Sequence, residues 1–379
     1  MTYSVVLSLL LALIGVVMWI EGGRTRARWR RGCCWWWSFS SPLCRRSSAG
    51  SSARRLPRRP TCYPSRDGAA GLVQSRTTVE RVTWEWIGTG LDEALGFCRE
   101  LGLGPQVERS RRFQEHRACL AELTAALQAG GQDAARDLFD RNRLRAFTAF
   151  TEGAELVESL PFIRTVPLNI ISPKLAAILQ GPLLPTDENS NTNKARNILF
   201  ELTMASKLWR AGLAPELVEP DIRCQVAGRG VYVACKRPFS ARGARQAYTD
   251  ALGQVETALQ TAPSGARGTV ALSITRFVNP GDRVFVHETE AIGKAHLSAA
   301  MTSVAQALMR PMLWPAPLEG TIGLLWHVIT PGFDRSQNLL VAVQKMNVQP
   351  TSPPGSADEM LLQALFSKLR AMWDSKGQS

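Results

Sequence analysis

The chain contains no CxxC pair, GxxxxGK(S/T) phosphate loop, GxGxxG fingerprint, HExxH pair or GxSxG elbow. Zinc ribbons, thioredoxin-like redox motifs, P-loop hydrolases, dinucleotide folds, zincins and α/β-hydrolases therefore have no support in their usual forms. Histidine is scarce: His116, His287, His296 and His327 are scattered, and the nearest two stand nine positions apart. That spacing is wrong for two ligands on one helix face, and His327 lies in an apolar strand pattern that reads as core. Lysine is absent before Lys174, and arginine greatly outnumbers it. GC-rich coding sequence produces that bias, so the arginine excess is not by itself evidence of phosphate contacts.

The formal net charge of +13 is unevenly spread. Residues 1–70 hold 12 arginines against Glu21 and Asp67, a balance of +10, which leaves +3 for the rest of the chain. A nearly neutral body argues against a surface coated for nucleic acid but allows a local basic groove. Eight cysteines divide evenly: Cys33, Cys34, Cys44 and Cys62 near the N-terminus, and Cys98, Cys119, Cys224 and Cys235 dispersed in the body. Dispersed cysteines in a large domain fit a reduced, cytoplasmic setting.

Ser4–Ile20, "SVVLSLLLALIGVVMWI", is 17 uncharged residues followed by Arg24, Arg26, Arg28, Arg30 and Arg31. Its length is at the short limit for a membrane span, and its charge order is the reverse of a secretory signal. Residues 1–22 thus read as a membrane anchor that leaves the body on the cytoplasmic side. Residues 23–75 mix Trp, Cys, Arg, Ser and Pro without period, either as a disordered linker or as translated upstream sequence. Both readings set this region apart from the fold.

From 76 to 183 the pattern predicts an α-helical domain. "LDEALGFCRELGL" and "FQEHRACLAELTAALQAG" carry apolar residues at three- and four-residue spacing, the second ending at a glycine pair. Pro161, Pro167 and Pro173 punctuate the rest of this region. Residues 184–355 change texture, and the order α-β-β-α-β-α-β-β over 195–348 predicts a mixed sheet flanked by helices. A C-terminal helix and tail occupy 356–379. In detail, Glu216–Val226 and Val231–Arg237 form a hairpin about "AGRG", and "PGFDRS" turns between two later strands.

Within this order stand Glu201 in "ILFELTMASKLWRAG", Pro220–Asp221 in "EPDI", Lys236 in "VACKRP" and Gln254 in "DALGQVETAL". The arrangement resembles the restriction-endonuclease-like, or PD-(D/E)xK, nuclease superfamily over roughly 193–278. The resemblance implies an α/β fold of that class and Mg²⁺- or Mn²⁺-dependent hydrolysis of nucleic-acid phosphodiesters. Asp221 would bind the ion, with the Cys235 carbonyl as a further ligand. Lys236 would hold the attacking water, and Glu201 would be a secondary acid.

One position departs from that pattern. Ala234, which should share a strand face with Lys236 while Cys235 turns away, stands where the family has a second carboxylate. Glu219, two residues before Asp221, and Glu201 on the preceding helix are the acids available to replace it. The alternative is a catalytically inactive nuclease-fold protein that binds or scaffolds. A third reading is an unrelated mixed α/β protein.

Overall fold

The computed structural model describes residues 83–187, 193–308, 318–336 and 339–375. The expected anchor and linker lie outside these. Among the described residues no helix is long and apolar enough to cross a membrane.

The helical region comprises α1 (Trp84–Cys98), α2 (Gly104–Arg109), α3 (Arg111–Arg141), α4 (Arg143–Ile163) and α5 (Leu168–Leu179). Thr83 caps α1 by accepting the Trp86 N–H, at 3.3 Å. Helix α4 is central: every residue from Ala146 to Leu160 is buried, so it has no solvent stripe. The glycine pair expected to end α3 instead interrupts it. Gly131 takes φ +68°, which glycine tolerates without a Cβ clash, and the helix resumes to Arg141. Of the three prolines expected to punctuate, only Pro167 lies at a helix boundary. Pro161 falls within α4, two residues before its end, and Pro173 within α5.

After α6 (Lys194–Arg210) the chain builds one seven-stranded mixed sheet in the order β1-β2-β3-β4-β6-β5, with β7 paired to β6. The strands are β1 (Glu216–Leu217), β2 (Ile222–Val226), β3 (Arg229–Lys236), β4 (Arg267–Ser273), β5 (Phe285–His287), β6 (Thr321–Asp334) and β7 (Leu339–Pro350). Helix α7 (Ala241–Thr261) crosses from β3 to its parallel neighbour β4. A short α8 (Thr275–Val278), then α9 (Glu290–Leu308) and α10 (Ala357–Ser375), complete the order.

Alternating apolar residues let the sheet bury both faces. One face packs Val231, Val233 and Cys235 with Phe200 and Met204 of α6 and Leu362 and Leu365 of α10. The other packs Ala234, Val270 and Leu272 with Tyr248 and Leu252 of α7 and Leu297 and Met301 of α9. The core of the helical region also takes in Ile329 of β6 and Ala342 of β7. All described residues belong to one compact unit.

The turn expected at "PGFDRS" begins later, because β6 continues through Pro331 and Gly332 to Asp334. Pro331 is accommodated where β6 has no second neighbour: its pairing with β4 ends at His327 and its pairing with β5 starts at Gly332. Within "GTVALSITRFVN" strand β4 ends at Ser273, and α8 comes next. His327 is fully buried beside the Phe200 ring, with centroids 5.5 Å apart, in the core position its sequence context predicts.

Candidate functional site

Strands β2 and β3 form a hairpin about Ala227–Gly228, both with positive φ, as a two-residue turn between right-twisted strands requires. Their ladder ends at the pair Ile222–Val233. Beyond it β2 has stopped while β3 continues to Lys236, leaving backbone groups of β3 without a strand partner on that edge. Asp221 serves one of them: its Oδ2 accepts the Cys235 N–H at 2.6 Å. The four residues Val218–Asp221 fold back on themselves through a cis Glu219–Pro220 bond, with the Val218 N–H donating to the Asp221 carbonyl at 3.2 Å. Glu219 is therefore an exposed residue of this turn and not a neighbour of Asp221 on a strand face.

These elements open onto a cleft of about 580 Å³ lined by Glu201, Glu219, Asp221, Cys235, Lys236 and Gln254. The site residues picked from the sequence, Ala234 apart, thus line one cleft. Glu201, on α6, is almost wholly buried, at 3% exposure. Burial, then the negative charges of Asp221 and Glu219, push its carboxyl up to about 7 against the pull of Lys174. Burial also pushes Asp221 up to about 6, opposed by the Lys236 ammonium and the Cys235 N–H. Asp221 thus raises Glu201, and two buried carboxyls lining one cleft create a demand for positive charge.

Lys174 was not singled out by motif. Reaching in from α5, its ammonium donates to Glu201 Oε1 at 2.6 Å. The sequence held one sign of it: in a chain whose basic residues are mostly arginine, Lys174 is the first lysine. A point charge on a flexible stem suits a carboxylate held below the surface.

The strand alternation expected of Ala234, Cys235 and Lys236 is present. Ala234 is fully buried in the apolar cluster of Ala244, Tyr248 and Ala251, and Cys235 in that of Phe200 and Met204. Burial holds the Cys235 thiol well above its ordinary value, so it stays protonated. Its backbone N–H is what orients Asp221.

A buried ionic scaffold steadies the cleft from behind. Helix α4 presents Glu152, Glu155 and Glu158, three residues apart and so on one side of the helix, where it packs on α6. Glu152 accepts from Arg112 Nε at 2.7 Å, from His116 Nε2 at 2.8 Å and from Arg196 of α6. Burial alone would raise Glu152, but the Arg112 and Arg196 guanidinia hold it well below the usual carboxylate range. Glu155 pairs with Arg237, whose backbone N–H donates to Asn197 Oδ1 at 2.9 Å. Glu158 accepts from Lys207 Nζ at 3.0 Å and from Gln344 Nε2 at 2.9 Å. Helix α6, which carries Glu201, and the end of β3, which carries Lys236, are thereby fixed to the same helix.

Among the described residues no group of three or more His, Cys, Asp or Glu is placed to hold a metal ion. The oxygen donors at the cleft include the carboxylates of Glu201 and Asp221, the rim carboxylate of Glu219, and Gln254, whose buried Oε1 has no hydrogen-bond partner. Such a hard-oxygen set with few protein ligands matches a magnesium-type ion, which keeps much of its water. No family model, curated protein or solved structure matches this chain. The cleft brings two carboxyls with raised values and two ammonium groups, Lys174 and Lys236, to one place, the charge types that hard-cation and phosphate chemistry use.

Proposed function

We propose that the cleft is a divalent-metal-dependent phosphodiesterase centre acting on nucleic acid, built on a restriction-endonuclease-like core. The observation that carries this reading is the convergence of Glu201, Asp221 and Lys236 on one cleft, with Asp221 locked by the Cys235 N–H. The core would be α6, β2, β3, α7 and β4, an antiparallel hairpin followed by a helical crossover to a parallel strand.

In this reading Asp221 and Glu201 hold Mg²⁺ or Mn²⁺, Glu201 substituting for the acid missing at Ala234. Glu219 at the rim contributes charge, directly or through water. The ion supplies Lewis acidity toward the phosphate and an acidified water. Lys236 orients the attacking water and offsets charge as it grows on the phosphate oxygens. Gln254 offers its free amide oxygen to the same site.

Labelled single- and double-stranded DNA and RNA, incubated with the purified chain and Mg²⁺ or Mn²⁺, test the proposal. Cleavage that disappears on chelation and in both Asp221→Asn and Lys236→Met supports it, whereas cleavage surviving both substitutions refutes it. The fully buried, apolar setting of Ala234 favours a second reading, a nuclease-like fold that binds nucleic acid without turnover. Metal-independent oligonucleotide binding with no cleavage would select that one.

A further inference from the structure

We infer that Lys174 is a built-in counter-ion that competes with the divalent cation for Glu201 and, once displaced, engages the substrate phosphate. This rests on the metal site proposed for the cleft and assigns a role to a residue outside the nuclease-like pattern. Lys174 comes from α5, upstream of every element of the proposed core, yet its ammonium occupies Glu201 Oε1 at 2.6 Å. Its side chain is 27% exposed, while that of Glu201 is only 4% exposed. The lysine is therefore the more solvent-accessible partner and occupies the oxygen that an incoming ion would take.

A cation that takes Glu201 as a ligand must displace this ammonium or share the carboxylate with it. Exchange of a single charge for a double one is favoured in a cleft that also holds Asp221 and Glu219. The displaced ammonium, on four flexible methylenes, stays in the cleft facing whatever anion the ion has recruited. A non-bridging phosphate oxygen is the group that matches it. Lys174 is then a positioning residue with two opposed effects: it weakens metal binding and strengthens binding of the phosphodiester.

Removal of the charge separates those effects. Free Mn²⁺, followed by electron paramagnetic resonance at about pH 8 where both carboxylates are charged, gives the metal affinity without reference to activity. Lys174→Met is expected to bind Mn²⁺ about tenfold more tightly than the wild type, the scale of one charge-assisted hydrogen bond. Lys174→Arg, which keeps the charge, should stay close to wild type. Lys194→Met, which removes another lysine lining the cleft, controls for the general field and should also stay close. In Ca²⁺, anisotropy of a fluorescein-labelled oligodeoxythymidylate should report weaker binding to Lys174→Met despite its tighter metal site.

Equal Mn²⁺ affinity in wild type and Lys174→Met, or equal tightening in Lys194→Met, overturns the counter-ion role while leaving the metal site standing. Absence of Mn²⁺ binding in every variant overturns the metal site itself, and the counter-ion role with it. If Lys174→Met does not fold, Lys174→Gln replaces it under the same criteria.

Discussion

Asp221 and Cys235 lie on two different segments of the hairpin, 14 positions apart, and are joined by a 2.6 Å hydrogen bond from the Cys235 N–H to Asp221 Oδ2. The contact stands where the β2–β3 ladder has just ended, so a side chain takes over from the backbone. It fixes one carboxylate oxygen and leaves the other to the cleft. Structure and chemistry at Asp221 are therefore separable. Asp221→Ala strands a buried N–H and should cost about 1–3 kcal/mol of stability. Asp221→Asn keeps an acceptor oxygen and should cost much less, yet abolish divalent-ion binding. Urea unfolding beside Mn²⁺ titration of both variants checks this; equal destabilisation by the two would show that the contact carries no weight.

The raised carboxyls predict an unusual pH dependence. Glu201 moves from 4.5 to about 7 and Asp221 from 3.8 to about 6 on folding. An acid whose value is higher in the fold stabilises it when protonated, below the unfolded value, and that contribution is lost as pH rises through the folded value. Metal-free protein should thus lose stability between about pH 4 and pH 7, by up to about 6 kcal/mol where the two shifts add. Glu152, held low by its arginines, acts in the opposite sense at acid pH. The comparison that isolates the cleft is wild type against Glu201→Gln, thermally unfolded in chelator across this range. Glu201→Gln should flatten the decline, and added Mg²⁺ should stabilise the wild type more at pH 8 than at pH 5.

Much of this architecture was legible in local patterns, and the misses share a cause. The long helices and strands over 195–348 follow from periodicity, because one apolar face per helix and two per buried strand leave distinct spacings, whereas the short β1, α8 and β5 are not in the expected order. Glu201, Asp221 and Lys236 could be picked out because residue type, element and order agreed. Lys174 and the Glu152–Glu155–Glu158 row could not, since their partners are set by packing between segments far apart in sequence. On α4 the row is buried along with every residue from Ala146 to Leu160. Pro331 and Gly131 misled for a related reason: a turn residue is tolerated within an element wherever a neighbour is missing or a kink is absorbed.

Restoring the missing acid directly should fail. The sequence alone suggests Ala234→Glu as a repair, but Ala234 is fully buried among Ala244, Tyr248 and Ala251. A carboxylate there is overpacked and enters an apolar cluster. The expected outcome is a loss of more than about 2 kcal/mol of stability without any gain in metal affinity. Differential scanning calorimetry and Mn²⁺ binding together decide the point. Tighter ion binding in a stable Ala234→Glu protein would mean that the side chain can turn out to the cleft, and that Glu201 is not the replacement acid.

The ionic scaffold behind the cleft carries the last prediction. Glu152 is the only acidic partner seen for the buried Arg112 side chain among the described residues, and it also pairs with Arg196 and His116. Glu152→Ala leaves buried guanidinium charge uncompensated, which is the costly way to break such a cluster, about 3–5 kcal/mol. Glu152→Gln keeps the shape and one acceptor but not the charge, and should fall between. Because Arg196 shares α6 with Glu201, the loss should also reach the cleft: variants still folded at low temperature should bind Mn²⁺ more weakly than wild type. If Mn²⁺ affinity is untouched by a destabilising Glu152 substitution, the scaffold supports the fold but does not position the cleft. If it falls in step with stability, the row of glutamates on α4 is what holds Glu201 where an ion can use it.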